Sequence, residues 1–317
     1  MRAVLVREFG PTETVEIGEI DAPMKLGTEV IVDVHAAGMN PIDYKTVIGK
    51  GAAKAVESLL PWIPGGDVAG TVAESPYEAH DLQPGDAVFG IVNHWRTRGS
   101  YAEQAVVPSL ALAPKPESLS FEEAAAVPCA ALTAWDAVVR IAKARAGQRI
   151  LIHAGAGGVG HFAVQFAKYF GAHVATTVSE RNVDFARSLG ADEVVDYRKD
   201  RFEDVLQKVD VVVDLIGNVA DDTGTRSLDA LKHGGLYLNV PTGSWPDYAS
   251  VAAGRGMRAS SVKVEADGGN LGIISRLIDA GDVRVEVQKV YPLEKVREAF
   301  AELQGGHVRG KLVLQVR

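Results

Sequence analysis

In the stretch HAGAGGVGHFAV, Gly155, Gly157 and Gly160 have the spacing G-x-G-x-x-G. The pattern is common, and its neighbours give it meaning. The apolar run RILIH before it reads as a strand. The segment VGHFAVQFAKYFG after it carries apolar residues at helical spacing. A glycine-lined turn between strand and helix lets backbone N–H groups approach a pyrophosphate, and the helix N-terminus adds partial positive charge. The cradle is read over Gly155, Gly157, Gly158, Val159 and Gly160.

The next strand, AHVATTVS, bears on which nicotinamide dinucleotide such a cradle takes. A bare ribose calls for a carboxylate at that strand's end, and Thr177 stands there instead. Ser179 and Arg181 follow, and Tyr197 comes later in VVDYRK. A hydroxyl, a guanidinium and a phenol suit a 2′-phosphate, so the expected cofactor is NADPH. Glu180 argues the other way: turned inward, it would admit NAD.

Two kinds of chain must position these residues. Up to about residue 120, short β-branched runs (MRAVLV, TVEIGEI, EVIVDVHAAG, GDVAGTVAE, DAVFGIV, YAEQAVVP) alternate with Pro and Gly breaks, as in an antiparallel barrel or sandwich. Ser120 then caps a helix with Glu122 and Glu123 in its first turn. From there strands and helices alternate, the pattern of a doubly wound parallel sheet. The last stretch reads strand, helix, strand, and is expected to return to the first domain. The domains are read as 1–121 completed by 282–317, and 122–281.

Composition removes several function classes. Of 317 residues, 47% are hydrophobic and 23% charged, and the formal net charge is −8. No Lys/Arg block offers a nucleic-acid face. No apolar run is long enough for a membrane span. The single cysteine, Cys129, reads as a buried packing residue and allows neither an internal disulfide nor a cysteine-rich metal site. The cytoplasm is the default compartment.

In order along the chain, AAGMNPIDYKTVIG, PGGDVAGTV, QPGDAVFG, GSYAEQAVV, AAVPCAALTAW, AGAGGVG, RNVDFARSLGADEVVDY and PLEKVREAFAELQGGHVRGKLVL resemble the medium-chain dehydrogenase/reductase superfamily. Within it they are similar to the zinc-independent quinone oxidoreductases and enone (alkenal) reductases. The resemblance implies a GroES-like β-barrel catalytic domain, an inserted Rossmann-type domain, and an active-site cleft between them. By this resemblance Ser179, Arg181 and Tyr197 match the adenosine-phosphate pocket of NADPH-using members, and Thr133 approaches the nicotinamide ribose. Asn40, Val240 and Thr242 lie near the nicotinamide, and Lys311 near the cofactor. Zinc-dependent relatives carry a cysteine ligand where this chain has GMNPID, and a GHE segment where it has PGGDVAG. They also have a four-cysteine lobe, absent here, so no metal is expected.

Hydride transfer to a simple ketone leaves a localised alkoxide, which calls for a Lewis acid or a proton relay. Tyr44 and Lys45 are adjacent, not spaced as Tyr-x-x-x-Lys. A quinone or enone spreads the charge, and a few hydrogen-bond donors then suffice. The candidate donors are Asn40, Tyr44 and Lys45, with Asp43 read as holding their loop. Trp95, with Trp62 and Trp245, is expected to form an apolar wall, and His94 is the one histidine considered for proton delivery. His153 is read as structural. The substrate is thus a small conjugated carbonyl or quinone. Two other readings stay open: an enoyl-thioester reductase of a biosynthetic pathway, and a non-catalytic NADPH-binding sensor or structural protein. The look-alikes include homodimers and monomers.

Overall fold

The β-branched runs become strands at the expected places. In the computed structural model, which describes residues 1–93 and 95–317, these are β1 (Arg2–Leu5), β2 (Glu16–Glu19), β3 (Glu29–Gly38), β4 (Asp67–Glu74), β5 (Ala87–Ile91), β6 (Gln104–Pro108) and β7 (Leu112–Pro114). Then come β8 (Arg149–His153), β9 (His173–Val178), β10 (Glu193–Asp196), β11 (Val209–Asp214), β12 (Leu231–Asn239) and β13 (Arg258–Ser261). The chain ends on β14 (Val287–Pro292) and β15 (Lys311–Gln315). His94 lies outside the described residues.

The chain divides into a flanking unit, Met1–Leu132 with Ala266–Arg317, and an inserted unit, Thr133–Glu265. These borders differ from those read in the sequence, and the reasons are local. The helix Pro128–Trp135 begins in the flanking unit, where the Cys129 N–H donates to the Asp67 carboxylate at 2.8 Å. The helix Gly268–Asp279 packs on β7, so closely that a β-carbon on Gly268 would lie 2.1 Å from the Leu112 carbonyl oxygen. Asp279 at its end accepts from the Ser118 N–H at 3.0 Å and the Ser118 hydroxyl at 2.7 Å.

In the flanking unit, β14, β15, β3, β4, β5 and β7 lie side by side in that order, with β6 also paired to β3. All contacts except β14–β15 are antiparallel. The C-terminal strand therefore does return, and it joins β3 at the centre of the sheet. The core beneath includes Val32, Val34, Trp62, Tyr101, Phe300 and Leu314. The Ser120 cap forms as read: its hydroxyl accepts from the Glu123 N–H at 3.2 Å, and the Glu123 carboxylate accepts from the Ser120 N–H at 2.9 Å.

In the inserted unit all six strands are parallel, in the order β10-β9-β8-β11-β12-β13. Their continuous apolar stretches, Ile150–Ile152 and Val211–Val213, are fully covered, as strands with helices on both faces must be. The order reverses between β8 and β11. Ligands of such sheets bind at that point, beyond the carboxyl ends of the strands.

Candidate active site: two partial sites

The flanking unit gathers the candidate donors. β3 ends at Gly38, and Asn40 precedes the helix Pro41–Val47. Proline at the first helical position and Asp43 two residues later suit a helix start. The Asp43 carboxylate accepts from the Asn40 N–H at 2.8 Å and from the Tyr101 hydroxyl at 2.8 Å. Asp43 is fully buried and holds the loop. Burial first, and then the Asp43 charge, push the Tyr101 phenol well above its ordinary value.

The side chain of Asn40 is held from two directions. β15 pairs with β3 in a register (Val313 opposite Gly38) whose continuation sets Lys311 opposite Asn40. The Lys311 ammonium donates to the Asn40 Oδ1 at 2.6 Å, the Met39 carbonyl at 2.8 Å and the Asp67 Oδ2 at 3.3 Å. Asp67 Oδ2 also accepts from the Asn40 Nδ2 at 2.9 Å. Gly38 makes room: a β-carbon there would lie 2.2 Å from the Ala125 carbonyl oxygen and 2.9 Å from the Asp67 side chain. Lys311 is 4% exposed and Asp67 is fully buried.

Tyr44 and Lys45 are half-buried on the same helix. Tyr44 leans on the core, and burial raises its phenol, which keeps it a donor. The Lys45 ammonium has no side-chain partner among the described residues. The expected tryptophan wall is not built. Trp62 is fully buried in the flanking unit's core, and Trp245 is 8% exposed against the Tyr237 ring of the inserted unit. Trp95 alone of the three is exposed. Cys129 is half-buried, not buried, because its helix turn lies at Asp67.

The inserted unit gathers the candidate cofactor residues. β8 ends at His153, Ala154 takes a left-handed backbone (φ 53°), and the helix Gly160–Tyr169 follows. A β-carbon on Gly155 would lie 2.0 Å from the Thr176 Oγ1, and one on Gly160 would lie 2.1 Å from the Ala154 carbonyl oxygen. Both glycines are therefore required by close packing. Gly157, Gly158 and Val159 stay half-buried, so their backbone is accessible. The first turn of the following helix has N–H groups without intrahelical partners. The loop thus fits a dinucleotide's pyrophosphate.

Thr177 does not face outward as a substitute for the missing acid. Its hydroxyl lies 2.9 Å from the His153 Nδ1, and the His153 Nε2 lies 2.8 Å from the Ser227 hydroxyl. Ser227 donates its own proton to the Thr223 carbonyl at 2.7 Å, so it must accept from His153. Nε2 therefore carries a proton, and burial favours the neutral imidazole, in which Thr177 donates to Nδ1. Burial, aided by Arg226 and opposed by Asp214, holds His153 below its ordinary value.

β9 and β10 pair with Val178 opposite Asp196, so Ser179 and Tyr197 leave the sheet side by side. Ser179 is buried, and Arg181 and Tyr197 are exposed. The Glu180 carboxylate, exposed, is paired with the Lys199 ammonium. Arg198 lies over the Tyr197 ring at 5.7 Å. Val240 closes β12 with its N–H on the Asp214 carbonyl at 3.0 Å, and the Thr242 hydroxyl accepts from Lys263 at 2.8 Å. Thr133 is 8% exposed.

Sequence reading brought forward Asn40 and Lys311 separately, and the fold joins them. It missed Asp67, Tyr101 and Lys199. Asp67 could have been noticed as an acid opening an apolar strand. Among the described residues, no group of three or more His, Cys, Asp and Glu side chains stands close enough to hold a metal.

Two family models match: an alcohol dehydrogenase GroES-like domain over residues 27–117 and a zinc-binding dehydrogenase over residues 189–314. The chain is 35% identical to the Danio rerio mitochondrial NAD(P)H oxidoreductase RTN4IP1, over 91% of this chain and 84% of that protein. It is 34% identical to the Arabidopsis thaliana chloroplastic NADPH-dependent alkenal/one oxidoreductase, over 99% of this chain and 79% of that one. Its fold superposes on the Coxiella burnetii quinone oxidoreductase with a TM-score of 0.94, at 36% identity, covering 100% of this chain and 99% of that one.

Proposed function

The chain belongs to the medium-chain dehydrogenase/reductase superfamily, and from that premise we infer that it is an NADPH-dependent reductase of quinones or of the conjugated C=C bond of α,β-unsaturated carbonyls, working without a metal. The relatives' activities support the reaction class. The observation that carries the cofactor is the pairing of Glu180 with Lys199. The acid that could have served a bare ribose is paired with a cation and exposed, and Ser179, Arg181 and Tyr197 are the groups we read as taking a 2′-phosphate.

Bound NADPH supplies the hydride. The backbone from Gly155 to Gly160 holds the pyrophosphate, and Thr133, Val240 and Thr242 orient the nicotinamide end. Hydride arriving at the β-carbon of an enone, or at a quinone, leaves negative charge on the carbonyl oxygen. Asn40, Tyr44 and Lys45 are the donors that stabilise this oxyanion. An enolate then takes a proton from solvent water at its α-carbon, giving the saturated carbonyl. Delocalisation makes these donors sufficient, which selects conjugated acceptors over simple ketones.

Arg181→Ala tests the cofactor reading. A charge-assisted hydrogen bond is worth ~1.5–3 kcal/mol, so NADPH Kd should rise about tenfold to a hundredfold while NADH binding changes little. Equal losses for both cofactors would count against it. The cytoplasm is the compartment we propose, resting on the lone cysteine, and fractionation of the source cells checks it. A homodimer is the assembly we propose by analogy with the look-alikes, and sedimentation of the purified chain checks that.

A further inference from the structure

Buried in the flanking unit is a cation that the mechanism above does not use. We propose that Lys311, paired with Asp67, is a positioning residue for the reduction. It fixes which way round the Asn40 amide sits, so that one Nδ2–H is always presented as a donor. This rests on the reading of Asn40 as an oxyanion donor, and goes beyond it by saying what makes the donor reliable.

A primary amide is nearly symmetric in shape, and its two ends can exchange by a flip. At Asn40 the ends have opposite neighbours. The carbonyl oxygen lies 2.6 Å from the Lys311 ammonium, and the nitrogen lies 2.9 Å from the Asp67 carboxylate. Flipping would set the NH2 group against a cation and the carbonyl oxygen against an anion. Both contacts would become repulsive in a site where both charges are at least nine-tenths buried. The flipped amide is therefore strongly disfavoured.

The same contacts determine what is left over. Asn40 Oδ1 is taken by Lys311, and one Nδ2 hydrogen by Asp67 Oδ2. The second Nδ2 hydrogen has no acceptor among the described residues. With the amide flipped, an acceptor would replace a donor there and repel developing negative charge.

The surroundings hold the clamp in turn. The Asp67 Oδ1 accepts from the Cys129 N–H at 2.8 Å, and the backbone of Asn40 is tied through its N–H to Asp43. The Lys311 ammonium, with three oxygens of its own unit around it, acts through Asn40 and not on the cofactor.

Lys311→Met alone would leave Asp67 buried and unpaired, and that variant can fail simply by not folding. The test therefore removes both charges, as Asp67→Asn with Lys311→Met, beside Asn40→Ala and the triple variant. Lys311→Arg, which keeps the cation, is the rescue. Each is assayed for kcat and KM with a conjugated enal and a benzoquinone, and for NADPH Kd by fluorescence titration.

Losing an oriented oxyanion donor is expected to lower kcat on the order of a hundredfold. The charge-pair variant should lose at least about tenfold in kcat, with NADPH Kd and acceptor KM within about threefold. Adding Asn40→Ala to it should cost no more than about threefold further, because the two changes disable one device. Lys311→Arg should recover most of the turnover.

If NADPH Kd weakens while kcat holds, Lys311 is a cofactor ligand and the proposal is overturned. If Asn40→Ala loses turnover but the charge-pair variant does not, Asn40 is a donor that needs no clamp. The proposal then fails while the reading of Asn40 stands. If Asn40→Ala is silent, that reading falls and the proposal falls with it.

Discussion

Both units bury a network of polar side chains, and the two networks are built from different chemistry. In the flanking unit the buried groups are ions: Lys311, Asp67 and Asp43 surround Asn40, with Tyr101 attached. In the inserted unit the chain Ala154 N–H, Thr177, His153, Ser227 and the Thr223 carbonyl is neutral throughout, each group donating to the next. The ionic network fixes orientation by sign, since flipping the Asn40 amide would set its NH2 against the ammonium and its oxygen against the carboxylate. The neutral one fixes orientation by proton count, since each hydroxyl has a single hydrogen to give. The ionic network holds Asn40, the proposed oxyanion donor, and so would resist its reorientation as negative charge developed beside it. A neutral relay suits the end of a strand beside the loop proposed to hold a pyrophosphate, where a fixed anion would repel the ligand.

The contrast is broken most directly by Asp67→Ala. It strands a buried ammonium, and losing one partner of a buried pair typically costs about 3–5 kcal/mol of stability. Urea denaturation measures this. Thr177→Val should cost less, roughly 1–3 kcal/mol, for leaving the His153 Nδ1 and the Ala154 N–H without their partner. If the two variants prove equally unstable, the distinction between ionic and neutral networks carries no energetic meaning.

The smallest effect concerns pH. His153 titrates below its ordinary 6.5 when folded, so the unfolded chain binds more protons as the pH drops. Its contribution to stability is complete above 6.5 and shrinks below it, toward the folded value. His153→Gln should therefore show a shallower fall in unfolding free energy between about pH 7 and pH 5 than the parent chain. An unchanged slope would mean the imidazole is not held neutral. Glu203 should not blur this window. Burial raises it, but hydrogen bonds from Arg226 outweigh that and hold it at about 2, so its losses come at lower pH.

Much of this was readable from residue types. The central parallel strands announced themselves by the unbroken apolar runs Ile150–Ile152 and Val211–Val213, and the glycine loop by its spacing between a strand and a helix. The Ser120 cap was readable because its partner lies three residues away. The Lys311–Asp67–Asn40 group was not, because its members are separated by up to 271 residues and only the β15–β3 register brings them together. The tryptophan wall failed for a related reason. Three large apolar residues were read as lining a pocket, when burying two of them in separate cores satisfies the same apolar surface. The borders moved because the helix Gly268–Asp279 serves the flanking unit, although its sequence continues the strand–helix alternation of the inserted one.

That β15 follows the inserted unit in the sequence has a consequence for how the chain is made. A ribosome releases β3 and β4, with Asp67 on them, before the inserted unit, but the cation that pairs with Asp67 emerges only after it. The inserted unit has no such wait, since its six strands are all synthesised by Ser261. The middle of this polypeptide should thus mature before its beginning. Released chains truncated after Ala280 should yield a protease-resistant fragment from Thr133–Glu265, while residues ahead of it are still digested; equal protection of the amino-terminal part would show that the early strands do not need β15.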